Sequence, residues 1–185
     1  MVNRLGLIAI DFATRRRLRV NGELVSADHR SMTVRVDQSY GNCPKYIHRR
    51  AIDVAGLAAP VPQRRATVLD PSDQALIAMS DTSFLGTSHP TRGSDASHRG
   101  GPPGFVRVES PNRLWWPDFP GNNMFNSYGN LAVDDEAALL FIDFGTGAAL
   151  HVTGTARVRW TTPGADGDDG GVGRNVAFSV GGVAR

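Results

Sequence analysis

A segment of this chain occurs twice. GLIAIDFATRRRLRVNG near the N-terminus aligns with ALLFIDFGTGAALHVTG at a constant offset of 132, and eight of the sixteen pairs from Leu7/Leu139 to Gly22/Gly154 are identical. Chance would give about one, at roughly one in twenty residue types. The identical pairs are Leu7/Leu139, Ile10/Ile142, Asp11/Asp143, Phe12/Phe144, Thr14/Thr146, Leu18/Leu150, Val20/Val152 and Gly22/Gly154. Each copy reads as two apolar, alternating runs around a turn that an Asp and a Thr can support through local hydrogen bonds. MTVRV (32–36) and NVAFSV follow in corresponding places, once a glycine-rich insertion at 164–173 is allowed. The copies are unequal, because only the second is preceded by about 70 residues of further strand-like sequence. The chain therefore reads as residues 1–50, the C-terminal part of a first repeat; 51–70, a linker or crossing segment; and 71–185, a nearly whole second repeat. A shortened protein, a misplaced start and a piece of a longer product all fit that inequality.

The rest of the sequence supports many short elements. Twenty-one glycines and eleven prolines among 185 residues favour turns over a helical bundle. Strands are expected at about 5–12, 16–26 and 32–36, then over SFLGTSHP, GFVRVES, NRLWWPDF, 137–144, 149–160 and NVAFSV. SDQALIAMSDT reads as a helix capped by Asp70 or Ser72. A second helix is expected from about Asn123 to Val133, where Met124, Phe125, Tyr128 and Leu131 have helical spacing. Residues 90–103 read as a long polar loop. KYIHRR, after a turn at Asn42 and Pro44, opens either a short helix or a return strand.

Charge is unevenly spread. Residues 1–65 carry twelve Lys/Arg against five Asp/Glu, and residues 66–185 carry eight against thirteen. Two halves that pack with complementary surfaces explain this. A nucleic-acid face is not expected, since the basic residues are not interleaved with aromatics. The single cysteine, Cys43, excludes an internal disulfide. No apolar run reaches a membrane span and no signal peptide is recognisable, so the cytoplasm is the default location. The five histidines show no metal-ligand spacing, and there is no phosphate loop or nucleophile elbow.

The stretch 95–131, DASHRGGPPGFVRVESPNRLWWPDFPGNNMFNSYGNL, combines the parts a phosphate-bearing planar ligand needs. Arg99 offers a planar fork for phosphate, beside Gly100, where backbone can approach closely. Ser97 and His98 add donors. Asn122, Asn123 and Asn126 lie at the start of the expected helix, whose free N–H groups would favour an anion; capping alone also explains them. Trp115 and Trp116 point to opposite faces of a strand, with core or interface the first reading for each and a ligand wall the second. Lys45, Tyr46 and Arg49 could reach a ligand in the neighbouring repeat.

SHRGGPPGFVRV, LWWPDFPGNN, a helix ending GNL, and LLFIDF followed by a strand carrying TG resemble, in this order, the pyridoxamine 5′-phosphate oxidase-like family of FMN-binding split β-barrels. The tandem-barrel, oxidase-related subgroup is the most similar. The resemblance covers most of 75–180, and 5–50 as the end of a first barrel. It implies a mainly β fold with a few short helices, a split barrel preceded by the C-terminal half of a related one. It also implies a homodimer with FMN near the subunit interface, and flavin-mediated redox of an unknown small molecule. The cofactor residues it points to are Ser97, His98, Arg99, Gly100, Trp116, Pro117, Asn122, Asn123 and Asn126, with Lys45 and Tyr46 from the first repeat. Asn123 stands where the family commonly has a basic residue. No catalytic side chain is identified, as flavin chemistry needs few. The alternative is a flavin- or haem-binding or dimerisation protein without turnover.

Overall fold

The computed structural model describes residues 4–41, 43–52 and 64–185. Both copies of the repeat form three-stranded antiparallel meanders. The first is β1 (Arg4–Asp11), β2 (Arg16–Ala27) and β3 (Met32–Gly41), and it stands as a sheet by itself. Then follow β4 (Arg65–Ala66), α1 (Pro71–Met79), β5 (Thr82–His89), β6 (Gly93–Gly100), β7 (Arg107–Ser110), β8 (Arg113–Pro117) and α2 (Asn126–Leu131). The second copy is β9 (Glu136–Ile142), β10 (Ala149–Trp160) and β11 (Arg174–Ala184). Its sheet runs β6-β5-β9-β10-β11-β8-β7, with β4 on β11. The linker expected at 51–70 falls largely on 53–63, which, like the turn residue Asn42, lies outside the described residues.

The two meanders share register as well as sequence. Leu7 faces Val20 across β1 and β2, and Leu139 faces Val152 across β9 and β10. Each middle strand slips against the third strand at the same step, Asn21/Gly22 in one copy and Thr153/Gly154 in the other. The shared glycine is required by this β-bulge: a Cβ on Gly22 would lie 2.2 Å from the Arg35 carbonyl oxygen, and one on Gly154 1.9 Å from that of Ser179. Asp11 accepts from the Ala13 and Thr14 amides, and Asp143 from the Gly145 amide and the Thr146 hydroxyl. The turn position with positive φ is Arg15 in the first copy and Gly147 in the second.

The core lies on the inner face of the larger sheet. Leu85, Leu139, Phe141, Leu150, Val152, Val176 and Phe178 meet Leu114 and Trp116 of β8, Leu76 and Ile77 of α1, and Tyr128 and Leu131 of α2. Each such side chain contributes about 1.5–3 kcal/mol relative to exposure. Helix α1 starts as expected at Asp70, in a capping box with Asp73, and Pro71 opens its first turn.

Three local expectations are corrected. Residues 93–100 form strand β6 rather than part of a loop, because β1 and β2 pack over them: Gly6 approaches the Asp95 backbone so closely that a Cβ would lie 2.8 Å from its Cα. The second helix is only six residues long. Asn122 is tied to Asp118 by its side chain and to Phe119 by its amide, which holds the preceding segment in a turn. Residues 43–50 form neither helix nor strand, since His48 reaches the Gly101 carbonyl and Arg50 reaches Asp81. The charge asymmetry becomes contacts between the halves, with Arg19 on Asp95 and Arg50 on Asp81. No helix among the described residues is long and apolar enough to cross a membrane.

Candidate functional site

The seam between the small sheet and β6 holds the densest set of buried charge. Strand alternation puts Asp95, Ser97 and Arg99 on one face of β6 and His98 on the other. On the first face α2 supplies partners: the Ser127 hydroxyl donates to Asp95 at 2.6 Å and lies 2.9 Å from the Ser97 hydroxyl, and Arg99 donates to the Tyr128 hydroxyl at 3.2 Å. Arg19 of β2 closes on Asp95 from the other sheet, stacked on the Tyr40 ring. On the second face His98 packs against Phe84 and meets Arg17, whose Nη1 is 3.5 Å from Nδ1.

Arg99 is short of negative charge. Its nearest carboxylate, Asp118, is 3.8 Å away, buried, and already engaged by Arg174 and by the Asn122 amide group at 2.7 Å. Arg17 has no carboxylate partner among the described residues; its Nη2 donates to the Cys43 carbonyl at 3.0 Å. Burial, followed by the positive charges of Arg19 and Arg99, lowers the Arg17 pKa. The same forces, burial first and then Arg17 and Arg99, push His98 down to about 3, so its imidazole is neutral at pH 7. Burial raises Tyr128 to about 12, so it remains a phenol.

Four buried nitrogens here find no partner among the described residues: Arg17 Nε, Arg19 Nε, Arg99 Nε and His98 Nε2. Arg17 can only donate, so Nδ1 of His98 must accept and Nε2 must carry the proton. The seam is thus a set of unspent donors with excess positive charge in low-dielectric surroundings. A buried donor without an acceptor costs about 1–3 kcal/mol, more when charged. An anion with several oxygens is the ligand that would satisfy this set, and the phosphate of a flavin nucleotide fits its chemistry.

The sequence-selected residues separate into groups. Ser97, His98, Arg99 and Gly100 come together with Lys45 and Tyr46. The Tyr46 carbonyl oxygen occupies the space a Cβ on Gly100 would need, its hydroxyl donates to the Pro120 carbonyl at 2.7 Å, and its ring lies on Phe119. Lys45 runs along Gly121. Asn122 reaches the group through Asp118. Asn123 is exposed in the turn, and Asn126 donates to the Tyr40 hydroxyl at 2.7 Å. Pro117 is buried at the end of β8, and Trp116 sits in the core against Phe178. Sequence reasoning did not select Arg17, Arg19, Asp95, Asp118, Tyr128 or Arg174. A signal for two of them was present: the repeat places Ala149 opposite Arg17 and His151 opposite Arg19, so these arginines are additions to a shared hairpin. Among the described residues no group of three or more His, Cys, Asp or Glu is placed to hold a metal ion.

The paired antiparallel sheets and two short helices define a split β-barrel fold, the fold of pyridoxamine 5′-phosphate oxidase-like proteins. A candidate pyridoxamine 5′-phosphate oxidase of Lactobacillus delbrueckii shares that fold, with a TM-score of 0.51 and 17% identity over 66% of this chain and 97% of its own. A pyridoxinephosphate oxidase-family protein of Clostridium acetobutylicum aligns at a TM-score of 0.43 and 15% identity, over 59% of this chain and 81% of its own. No protein-family model matches the chain, and no curated protein matches it.

Proposed function

We propose that the chain binds FMN at this seam and serves flavin-mediated redox of a small molecule. The observation that carries the reading is that Arg17 of one repeat and Arg99 of the other each have a buried Nε with no partner among the described residues, with Arg99 near enough for its charge to lower the Arg17 pKa. Arg17 and the Nε2–H of His98 on one face of β6, with Arg99 reaching from the other, would hold the phosphate. Lys45, Tyr46 and the turn at Asn122 would flank the remainder. The flavin, when bound, supplies the hydride and electron chemistry. The protein's part is to neutralise the phosphate, exclude water and fix the ring's orientation. Both arginines belong to one chain, so the phosphate end of the site needs no second subunit.

Haem binding through His98 is less well supported. Iron ligation asks for a ring nitrogen with a free lone pair, whereas Nδ1 faces Arg17 and Nε2 carries the proton. Absorbance after adding FMN or haemin separates the readings. Retained flavin bands, at about 375 and 450 nm, that bleach with a reductant support the proposal. A Soret band with no flavin uptake supports haem, and no uptake of either ligand defeats both.

A further inference from the structure

Trp160, at the end of β10, is an aromatic residue left in water beside a cavity. Trp116 lies in the core at 2% exposure, whereas Trp160 is 67% exposed. Its indole is nevertheless held in place. The Phe125 ring packs on it with centroids 6.3 Å apart, and the Arg174 guanidinium lies 5.8 Å from its centroid. The cavity, of about 560 Å³, has Tyr128, Leu131, Val133, Val158 and Trp160 as its walls. A fixed aromatic surface beside a concave apolar wall is the usual make-up of a small-molecule site.

The rest of the lining is charged, and its balance is negative. Asp134, Asp135 and Arg157 border the cavity, two carboxylates against one guanidinium. Arg157 is engaged by Asp135 at 3.1 Å. Asp134 accepts from the Glu136 amide at 3.1 Å and from the Ser88 hydroxyl at 3.4 Å, and no basic side chain pairs with it among the described residues. Of the neighbouring cations, Arg174 is bound to Asp118, and Arg99 reaches the Tyr128 ring but does not line the cavity. We infer that this cavity binds a planar aromatic cation, with its ring on Trp160 and its charge toward Asp134. Such a ligand gains from the negative face of the indole, the best of the aromatic side chains for this contact, and from the uncompensated carboxylate beside it. An aromatic anion of the same shape meets the same ring but the wrong charge. None of Arg17, His98 and Arg99 lines the cavity, so the inference goes beyond the cofactor reading and does not rest on it.

Isothermal titration of the full chain with N-methylquinolinium, and with quinoline-2-carboxylate as an anion of similar shape, tests the assignment. The wild type takes the cation with a Kd of about 0.1 mM, ordinary for a ligand of this size. It takes the anion at least about tenfold more weakly. Trp160→Ala weakens the cation about tenfold or more, and Trp160→Phe retains part of the affinity because a phenyl ring still offers a face. Asp134→Asn keeps the side chain's shape and an acceptor oxygen, so it lowers the affinity for the cation and leaves that for the anion no weaker. FMN affinity is unchanged by either substitution. A wild type that does not bind the cation, an anion that binds as tightly, or a Trp160→Ala variant with wild-type affinity overturns the inference. A Trp160→Ala loss for FMN and riboflavin alike also overturns it, by giving Trp160 to the flavin ring. A wild type that takes the cation but no FMN overturns the cofactor reading and supports this one.

Discussion

Phe12 and Phe144 pack edge to face, with ring centroids 5.1 Å apart, although 132 residues separate them. They hold the same position in the two copies of the hairpin. The turns of the two copies therefore meet at this pair. Arg50 stacks on the Phe144 ring and donates its backbone amide to the Phe12 carbonyl. The small sheet is thereby set over β6, which brings Arg17 and Arg19 to the candidate site.

Phe12→Ala and Phe144→Ala are each expected to destabilise the fold, and the double variant less than their sum. The coupling should be about 0.5–1.5 kcal/mol, the range for aromatic pairs beyond their area burial. Urea unfolding of the four proteins measures it, and strict additivity would show that the rings do not interact.

The repeat makes its backbone requirements testable in pairs. Gly154→Ala forces a Cβ against the Ser179 carbonyl, and Gly22→Ala does the same at Arg35, so each should cost about 2 kcal/mol or more. Arg15 has φ 57°, where its counterpart is Gly147. Arg15→Gly should therefore be neutral or stabilise by up to about 1 kcal/mol, and Gly147→Arg should destabilise. Thermal melts that rank the two turn variants in the opposite order would contradict this account of the turn.

Much of this framework was readable in advance because the information was local or repeated. Alternating residues fix β9, β10 and β11, and the duplicated Asp, Thr and Gly fix the turn and the bulge. Asp70 and Pro71 announce α1. Strand β6 was not readable, since Ser94, Ser97 and Gly100 have no strand pattern of their own and are extended because β5 pairs along the whole strand and a sheet about ninety residues earlier covers it. Arg99 was visible through its glycine-rich setting. Arg17 was not, because its role depends on which face of β2 meets β6. Asp118 was hidden for the same reason, its partners Arg174 and Arg99 being distant in sequence.

His98 gives a pH prediction. Its folded pKa is depressed to about 3, below the ordinary value near 6.5. Between those values the unfolded chain binds a proton that the folded chain does not. Stability is therefore full above about pH 6.5 and falls as the pH drops toward 3, by up to about 1.4 kcal/mol per unit from this group. His98→Gln should flatten the melting temperature across that window. An unchanged acid limb would show that carboxylates alone set it.

The most direct test of the cofactor account compares FMN with riboflavin, which differ only in phosphate, for the wild type, Arg17→Ala and Arg99→Ala by equilibrium fluorescence titration. The account predicts that the wild type prefers FMN and that each substitution weakens FMN about tenfold or more while riboflavin changes little. Equal losses for both ligands, or a wild type that does not distinguish them, would contradict a phosphate held between Arg17 and Arg99.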